Sequence, residues 1–100
     1  MNMKKGHYRR VRGLILNLLV KEHPKTVDAK VLHYLLDDLR YTITEEEFNS
    51  HMQYLAEGGY VRKETRQSGG VEVVFFIATR HGMNLIDDFG PQDVGIDARF

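Results

Sequence analysis

Apolar side chains near the start of the chain recur at the spacing of one face of a helix. This stripe consists of Val11, Leu14, Ile15, Leu18 and Leu19. The pattern predicts a first helix that begins near His7 and ends before Pro24, because proline interrupts a helix. Leu16 and Val20 lie off the stripe, so this helix is either central in the domain or partly buried against a partner.

The same spacing predicts two further helices. Asp28 suits the N-cap of the second helix. The expected buried face of that helix is Val31, Leu32, Leu35, Leu36 and Leu39. The third helix opens with a capping box, in which Thr44 is the N-cap and Glu47 reaches back to it. Its apolar period is Phe48, Met52, Leu55 and Ala56. Gly58 and Gly59 then end the helix, because glycine adopts the left-handed C-cap conformation without steric cost.

A β-hairpin is predicted after the third helix. Residues 60–67 and 71–79 are rich in β-branched and aromatic side chains, and residues 68–70 supply the backbone freedom of a tight turn. In the second strand one face is Val71, Val73, Phe75 and Ile77, and the other is Val74, Phe76 and Ala78. Both faces are mostly apolar, whereas a strand covered on one side alternates apolar and polar residues.

A short last helix is predicted after Thr79, which suits its N-cap. Its side chains expected to point inward are Met83, Ile86 and Phe89. Residues 90–100 contain turn residues without a period, so we predict an irregular or mobile tail there.

The element order and two short motifs resemble the winged helix-turn-helix superfamily. The first motif is "LAEGGYV", carried by Leu55, Gly59, Tyr60 and Val61, and the second is "TRHGMNLI", carried by Thr79, Gly82, Leu85 and Ile86. The resemblance implies an α+β fold with three helices, a β-hairpin wing and a C-terminal helix. It also implies a DNA-binding regulator, commonly dimeric through its terminal helices. More narrowly, "YRRVRGLILNLL" and the spacing of "LLDDL…YLAEGGYV" resemble small winged-helix proteins of Mu-like phages and prophages.

Composition fits one domain. The chain has 100 residues, of which 42% are apolar, and it contains no cysteine, which excludes a disulfide scaffold and a thiol nucleophile. Nothing approaches the ~20 apolar residues of a membrane span, so we expect a cytoplasmic protein without membrane contact. We expect a basic N-terminal arm at residues 1–7, the winged-helix domain at 8–89 and the tail at 90–100.

Charge is distributed unevenly, although the net charge is zero. Residues 1–12 carry a charge of +5, and residues 44–60 carry −4. Residues 41–61 contain no lysine or arginine, and glutamates 45–47 occupy the start of the third helix. Carboxylates there oppose binding to phosphates, although they also suit a capped and solvated helix start.

A winged helix that binds duplex DNA places its third helix in the major groove. The exposed face of that helix would then present Glu45, Glu46, Asn49, Ser50, His51, Gln53 and Tyr54. The residues predicted nearest to base edges are Asn49, His51 and Gln53, and those predicted on phosphates are Arg9, Arg10, Arg62, Lys63 and Arg66. Alternatively, the charges of the wing solvate an exposed strand, and the basic arm is solvated or docks a partner.

Catalysis and metal binding find little support. The pairs Glu47–His51 and His33–Asp37 lie four residues apart, and each could supply two metal ligands. A zinc site needs three or four ligands, so local pairing on the helix is favoured. Because no phosphate loop or nucleophile motif is present either, we expect no cofactor, no metal and no enzyme activity.

Self-association is suggested by an apolar excess. It comprises Leu16 and Val20 on the first helix and Val74 and Phe76 on the wing strand, which either form a homodimer interface or pack inside the monomer. Two functions therefore stay open. One is a dimeric, phage-derived transcriptional regulator that binds duplex DNA. The other is a protein-interaction module, a phage accessory or assembly factor, that keeps the winged-helix fold without binding DNA.

Overall fold

The structure is a computed structural model that describes residues 3–99. Within that range the elements are α1 (Met3–Glu22), β1 (Val27–Asp28), α2 (Ala29–Asp38), α3 (Glu45–Glu57), β2 (Val61–Ser68), β3 (Val71–Ala78) and α4 (Arg80–Ile86). The first two residues of the predicted arm and the last residue of the predicted tail lie outside the described residues.

Helix α1 is the centre of the fold. Its side chains Val11, Ile15, Leu16 and Leu19 have no exposed surface, and α1 contacts α2, α3, α4 and β3. The burial of Leu16 resolves the alternative raised by the sequence in favour of a central helix. The helix begins at Met3 rather than near His7. The basic segment at residues 3–7 therefore belongs to α1. Gly6 does not interrupt the helix there, because a single glycine costs a helix only about 1 kcal/mol.

The predicted helix starts are confirmed. Asp28 accepts a hydrogen bond from the backbone N–H of Lys30 at 2.7 Å at the start of α2. Thr44 and Glu47 form the reciprocal capping box of α3, with both hydrogen bonds at 3.0 Å. Thr79 caps α4 by accepting from the backbone N–H of Gly82.

The end of α3 is fixed by two backbone hydrogen bonds. The N–H of Tyr60 donates to the carbonyl of Leu55 at 2.9 Å, and that of Gly59 donates to Ala56 at 3.0 Å. This is the Schellman arrangement, which places the residue after the C-cap in the left-handed region. Gly59 has a φ of 78°, whereas Gly58 is right-handed, so one of the two glycines carries the turn.

The sheet has the strand order β1-β3-β2 and is antiparallel throughout. Strands β2 and β3 form the predicted hairpin, in which Ser68 pairs with Val71 and both turn glycines have positive φ. Strand β1 was not predicted, because two residues are too few for a periodicity to register. It pairs with Phe75 and Phe76 and so covers the free edge of β3.

Two predicted buried faces are wrong in part. In α2 the buried side chains are Leu32 and Leu36, whereas the expected inward residues Val31, Leu35 and Leu39 are 49%, 36% and 46% exposed. The apolar stripe of α2 is therefore wider than the core that covers it. In the C-terminal part of the domain Leu85 is buried, Met83 and Ile86 are half-buried, and Phe89 lies beyond α4 and is 79% exposed.

Residues 90–99 have the irregular backbone predicted for the tail, and they fold back onto α1 and α3. Ile96 is 3% exposed and belongs to the core, and the N–H of Asp97 donates to the carbonyl of Arg9 at 2.9 Å. Gly13 permits this approach, because a Cβ there would collide with the carbonyl of Asp97. The predicted mobility of this segment stays a prediction.

Candidate nucleic-acid interface

The solvent face of α3 is polar and acidic. Asn49 and Gln53 are exposed one turn apart, as predicted, beside the exposed carboxylates of Glu46 and Glu57. Gln53 donates a hydrogen bond to Glu57 at 2.9 Å. At the helix start, hydrogen bonds from the backbone and side chain of Thr44 lower the pKa of Glu47, which keeps that carboxylate ionised at neutral pH. Both amides are therefore exposed within a negative surface, and that of Gln53 already donates to Glu57.

His51 does not lie on that face, so the prediction that it is exposed near base edges is wrong. Its side chain is 3% exposed and points toward α1, where its ring meets the Tyr8 ring edge-on at a centroid distance of 5.2 Å. Its Nδ1 atom accepts from Nε of Arg12 at 3.2 Å. Burial, followed by the charge of Arg12, lowers the pKa of His51 to about 4, so the imidazole is neutral at pH 7. His51 packs α3 against α1, and its burial removes it from any surface that could meet a base.

The basic residues of the wing do not form one patch. Successive side chains of a strand point to opposite faces, so Arg62 and Arg66 share one face of the hairpin and Lys63 lies on the other. Glu64 lies between the two arginines and accepts from Arg66 at 2.9 Å and from Arg62 at 3.2 Å. These hydrogen bonds, that from Arg66 first, lower the pKa of Glu64. The Arg66 guanidinium also lies 4.3 Å from the centroid of the Phe75 ring. One carboxylate thus offsets part of the positive charge on this face.

A groove of about 730 Å³ separates the wing from α3. Its floor is apolar, with Met52, Val74 and Phe76. The charged side chains that line it are Asp28, Lys30, Glu45, Lys63 and Glu72. Three acids and two bases leave the groove slightly negative. Among the residues of β2 and β3 that line it, Lys63 is the one with a cationic side chain.

The basic N-terminal half of α1 flanks the other side of α3, because Tyr8 packs on His51. Two of the five residues predicted on phosphates lie in α1, and the first of them, Arg9, is exposed. Arg10 forms an ion pair with Asp97 at 3.7 Å and also donates to the carbonyl of Arg99. The tail therefore competes with any external phosphate for Arg10.

Arg12 is held by several partners. Besides its hydrogen bond to His51, it donates to the carbonyl of Gly95 at 3.3 Å, and its guanidinium carbon lies 3.9 Å from the centroid of the Tyr54 ring. This residue belongs to the contact between α1, α3 and the tail.

A carboxylate with two phenol partners fastens the tail to the domain. Asp93 accepts from Tyr54 and from Tyr60, both at 2.7 Å, and from the N–H of Gly95 at 2.8 Å. Burial on its own would raise the pKa of Asp93, but the hydrogen bonds from Tyr54, Tyr60 and Gly95 lower it overall. Burial and the bond to Asp93 raise the pKa of Tyr60 to about 12. The sequence does not predict this cluster. Asp93 is 39 positions from Tyr54 and 33 positions from Tyr60, and no local signal connects residues so far apart.

The side chains considered as metal ligands have other partners. His33 makes a hydrogen bond with the carbonyl of Ile43 at 2.9 Å, and Asp37 accepts from Thr42 at 2.6 Å. Among residues 3–99, no three histidine or carboxylate side chains converge as a metal site would require. Within the same range, no helix has the length and apolarity needed to cross a bilayer.

Comparison with solved structures identifies the fold. The chain superimposes on a PadR-like transcription factor from Bacteroides fragilis with a TM-score of 0.70 and 19% identity, covering 87% of this chain and 80% of that one. It also superimposes on a PadR family transcriptional regulator from Eggerthella lenta with a TM-score of 0.63 and 17% identity, covering 76% of this chain and 67% of that one. No protein-family model and no curated protein sequence matches the chain. At these identities the likeness establishes a winged-helix fold. The narrower resemblance to phage proteins gains no support from it.

Proposed function

We propose that this protein is a non-enzymatic, homodimeric transcriptional regulator of the winged-helix class that binds duplex DNA. The observation that carries the proposal is the arrangement around α3. Asn49 and Gln53 are exposed on the helix that a winged helix inserts into the major groove, and Lys63 of the wing lines the same groove as these two amides. The basic half of α1 packs on the other side of α3 through Tyr8. The structural likeness to transcription factors supports this assignment. A cytoplasmic location follows from the proposed role, and a phage or prophage origin rests on the sequence resemblance alone.

Phosphate contacts are expected to supply most of the affinity. Exposed cationic side chains at Arg9, Arg62, Lys63 and Arg66 can meet the backbone, whereas carboxylates surround the base-reading amides. Binding should therefore depend steeply on salt and only weakly on sequence, since each neutralised phosphate releases counterions. Asn49 and Gln53 could each pair with the edge of an adenine and would supply the discrimination that is present.

Fluorescence anisotropy with a mixed-sequence duplex at several salt concentrations tests this function. We expect binding that weakens as salt rises, and Arg9→Ala or Lys63→Ala should each reduce the slope of log K against log salt by about 1. Lys21→Ala is the matched control, because this exposed lysine lies at the opposite end of α1. A control with the same loss of slope, or no binding near ~50 mM salt, would refute the proposal.

The alternative function is a protein-interaction module that does not bind DNA. The acidic face of α3 and the slightly negative groove favour it, because both suit a basic protein segment better than a nucleic acid. Absence of DNA binding in the titration would favour this alternative.

A further inference from the structure

Helix α2 exposes a continuous apolar surface. Val31, Leu35 and Leu39 are spaced four residues apart and so form one ridge along the helix, and they are 49%, 36% and 46% exposed. Tyr34 lies beside this ridge and is 69% exposed. Four large apolar side chains exposed together on α2 and its C-cap residue, Leu39, indicate an interaction site.

This surface faces away from the proposed DNA-binding helix. His33 stacks on Phe48 of α3 at a centroid distance of 4.8 Å, so the side of α2 that carries His33 is turned toward α3. Val31 and Leu35 are two residues before and after His33, which places them about 160° from it around the helix. A partner on the α2 ridge would therefore lie on the side of α2 opposite to α3, and of the proposed contact residues Lys30 reaches the groove that α3 lines.

The charges that flank the ridge are self-complementary. Lys30, Tyr34 and Asp38 form a neighbouring ridge, with opposite charges one turn before and one turn after the tyrosine. Neither charged side chain forms an ion pair within residues 3–99. Asp37, by contrast, is engaged with Thr42. A twofold axis near Tyr34 would place Lys30 opposite Asp38 of the partner subunit, and the reverse.

We propose that this protein forms its homodimer through α2, packed antiparallel against α2 of a second copy. The Val31–Leu35–Leu39 ridge fits the groove between the same two ridges of the partner, a helix packing that favours crossing angles near about −50°. Two symmetric pairs between Lys30 and Asp38 set the register. The partner is a second copy, because Lys30 and Asp38 carry opposite charges at equal distances from Tyr34. Two copies of this helix packed antiparallel therefore place each lysine opposite an aspartate.

The apolar excess that suggested dimerisation from sequence is used elsewhere. Leu16 is fully buried and Phe76 is 6% exposed, and the half-buried Val20 and Val74 pack on the same core. These four residues stabilise the monomer, and α2 carries the apolar surface that the monomer leaves uncovered.

Sedimentation equilibrium of the full chain over a wide concentration range tests the interface. We expect a monomer–dimer equilibrium in which Tyr34→Glu abolishes the dimer. Lys30→Glu or Asp38→Lys alone should raise the dimer dissociation constant about tenfold, because each places like charges opposite each other twice. The double variant Lys30→Glu with Asp38→Lys should restore the dissociation constant, since it exchanges the two charges without changing their complementarity.

Val94→Glu is the matched control, because it places the same acid at an apolar residue that is 89% exposed in the tail. It should leave the dimer intact, and circular dichroism should report an unchanged fold for every variant. A wild-type chain that stays monomeric overturns the dimer and its interface together. A dimer that resists Tyr34→Glu, or a double charge exchange that does not restore association, overturns the α2 interface alone. The interface rests on the proposed homodimer, but since no DNA is present, neither result bears on DNA binding.

Discussion

Alanine at residue 82 is expected to destabilise the fold by about 2–3 kcal/mol. Gly82 is buried in α4, and a Cβ there would lie far inside van der Waals contact with the carbonyl oxygen of Tyr60 and 2.9 Å from Cδ1 of Leu16. The carbonyl is fixed in the backbone, since it accepts the N–H of Thr79 at 3.0 Å. Helix α4 would have to move away from the centre of the domain. Urea unfolding monitored by circular dichroism measures the effect as a loss of unfolding free energy.

The sign of this effect separates packing from helix propensity. Alanine is a better helix former than glycine by about 0.5–1 kcal/mol, so propensity alone predicts stabilisation. Gly6→Ala in α1 is the matched control, because a Cβ there would meet no atom within 4 Å. We expect Gly6→Ala to stabilise the protein by about 0.5 kcal/mol. Equal effects of the two substitutions would contradict the proposed role of Gly82.

The helix ends and the hairpin could be predicted from the sequence, because local signals specify them. The signals in "LAEGGYV" and "TRHGMNLI" are caps and turns, each of which depends on residues within about four positions. Thr44, Gly59 and Thr79 act as expected for this reason. The close approach of α4 to Tyr60 explains why a glycine stands within the second motif.

The candidate site could be predicted less well, because its composition depends on contacts between distant segments. His51 lies three residues after Phe48 and four before Leu55, which is the spacing of the buried stripe of α3, so its burial follows from the periodicity although its polar side chain suggests exposure. The partners that bury it, Tyr8 and Arg12 of α1, could not be predicted. The division of the wing charges was available from the sequence, since Arg62 and Lys63 are adjacent in a strand and must point to opposite faces. The exposure of Val31 and Leu35 could not be predicted from the sequence, because periodicity gives the direction of an apolar stripe and not how much of that stripe the core covers.

The docking of the tail is the largest feature of the structure that the sequence does not predict. A segment with turn residues and no period carries no signal for docking, yet Ile96 is buried and Asp93 joins Tyr54 to Tyr60. The docked tail also holds Arg10 through Asp97. If the tail undocks, Arg10 loses its ion pair with Asp97.

Asparagine at residue 93 is expected to destabilise tail docking by about 1.5–3 kcal/mol, the value of a hydrogen bond to a charged group. An amide offers one oxygen where the carboxylate offers two, so one of the two phenols loses its acceptor. Tyr60 is only 7% exposed, which makes an unpaired hydroxyl there costly. Hydrogen exchange of the Asp97 amide, which is bonded to the carbonyl of Arg9, should accelerate in Asp93→Asn more than exchange of the amides of β3.

The pH dependence of Asp97 amide protection tests whether the Asp93 carboxylate holds the tail. The folded state lowers the pKa of Asp93 below its ordinary value of 3.8, so its contribution is complete above that value and is lost as pH falls through the lower folded pKa. Tyr60 has the opposite sign, because its pKa is raised to about 12, and its contribution is complete below 10 and lost as pH rises through 12. The difference in Asp97 protection between wild type and Asp93→Asn should therefore be constant near neutral pH and shrink at both extremes. Asp87→Asn, the same chemical change at an exposed aspartate, should leave the protection of Asp97 unchanged. A difference that persists at acid pH, where Asp93 is protonated, would show that the charge of the carboxylate does not hold the tail.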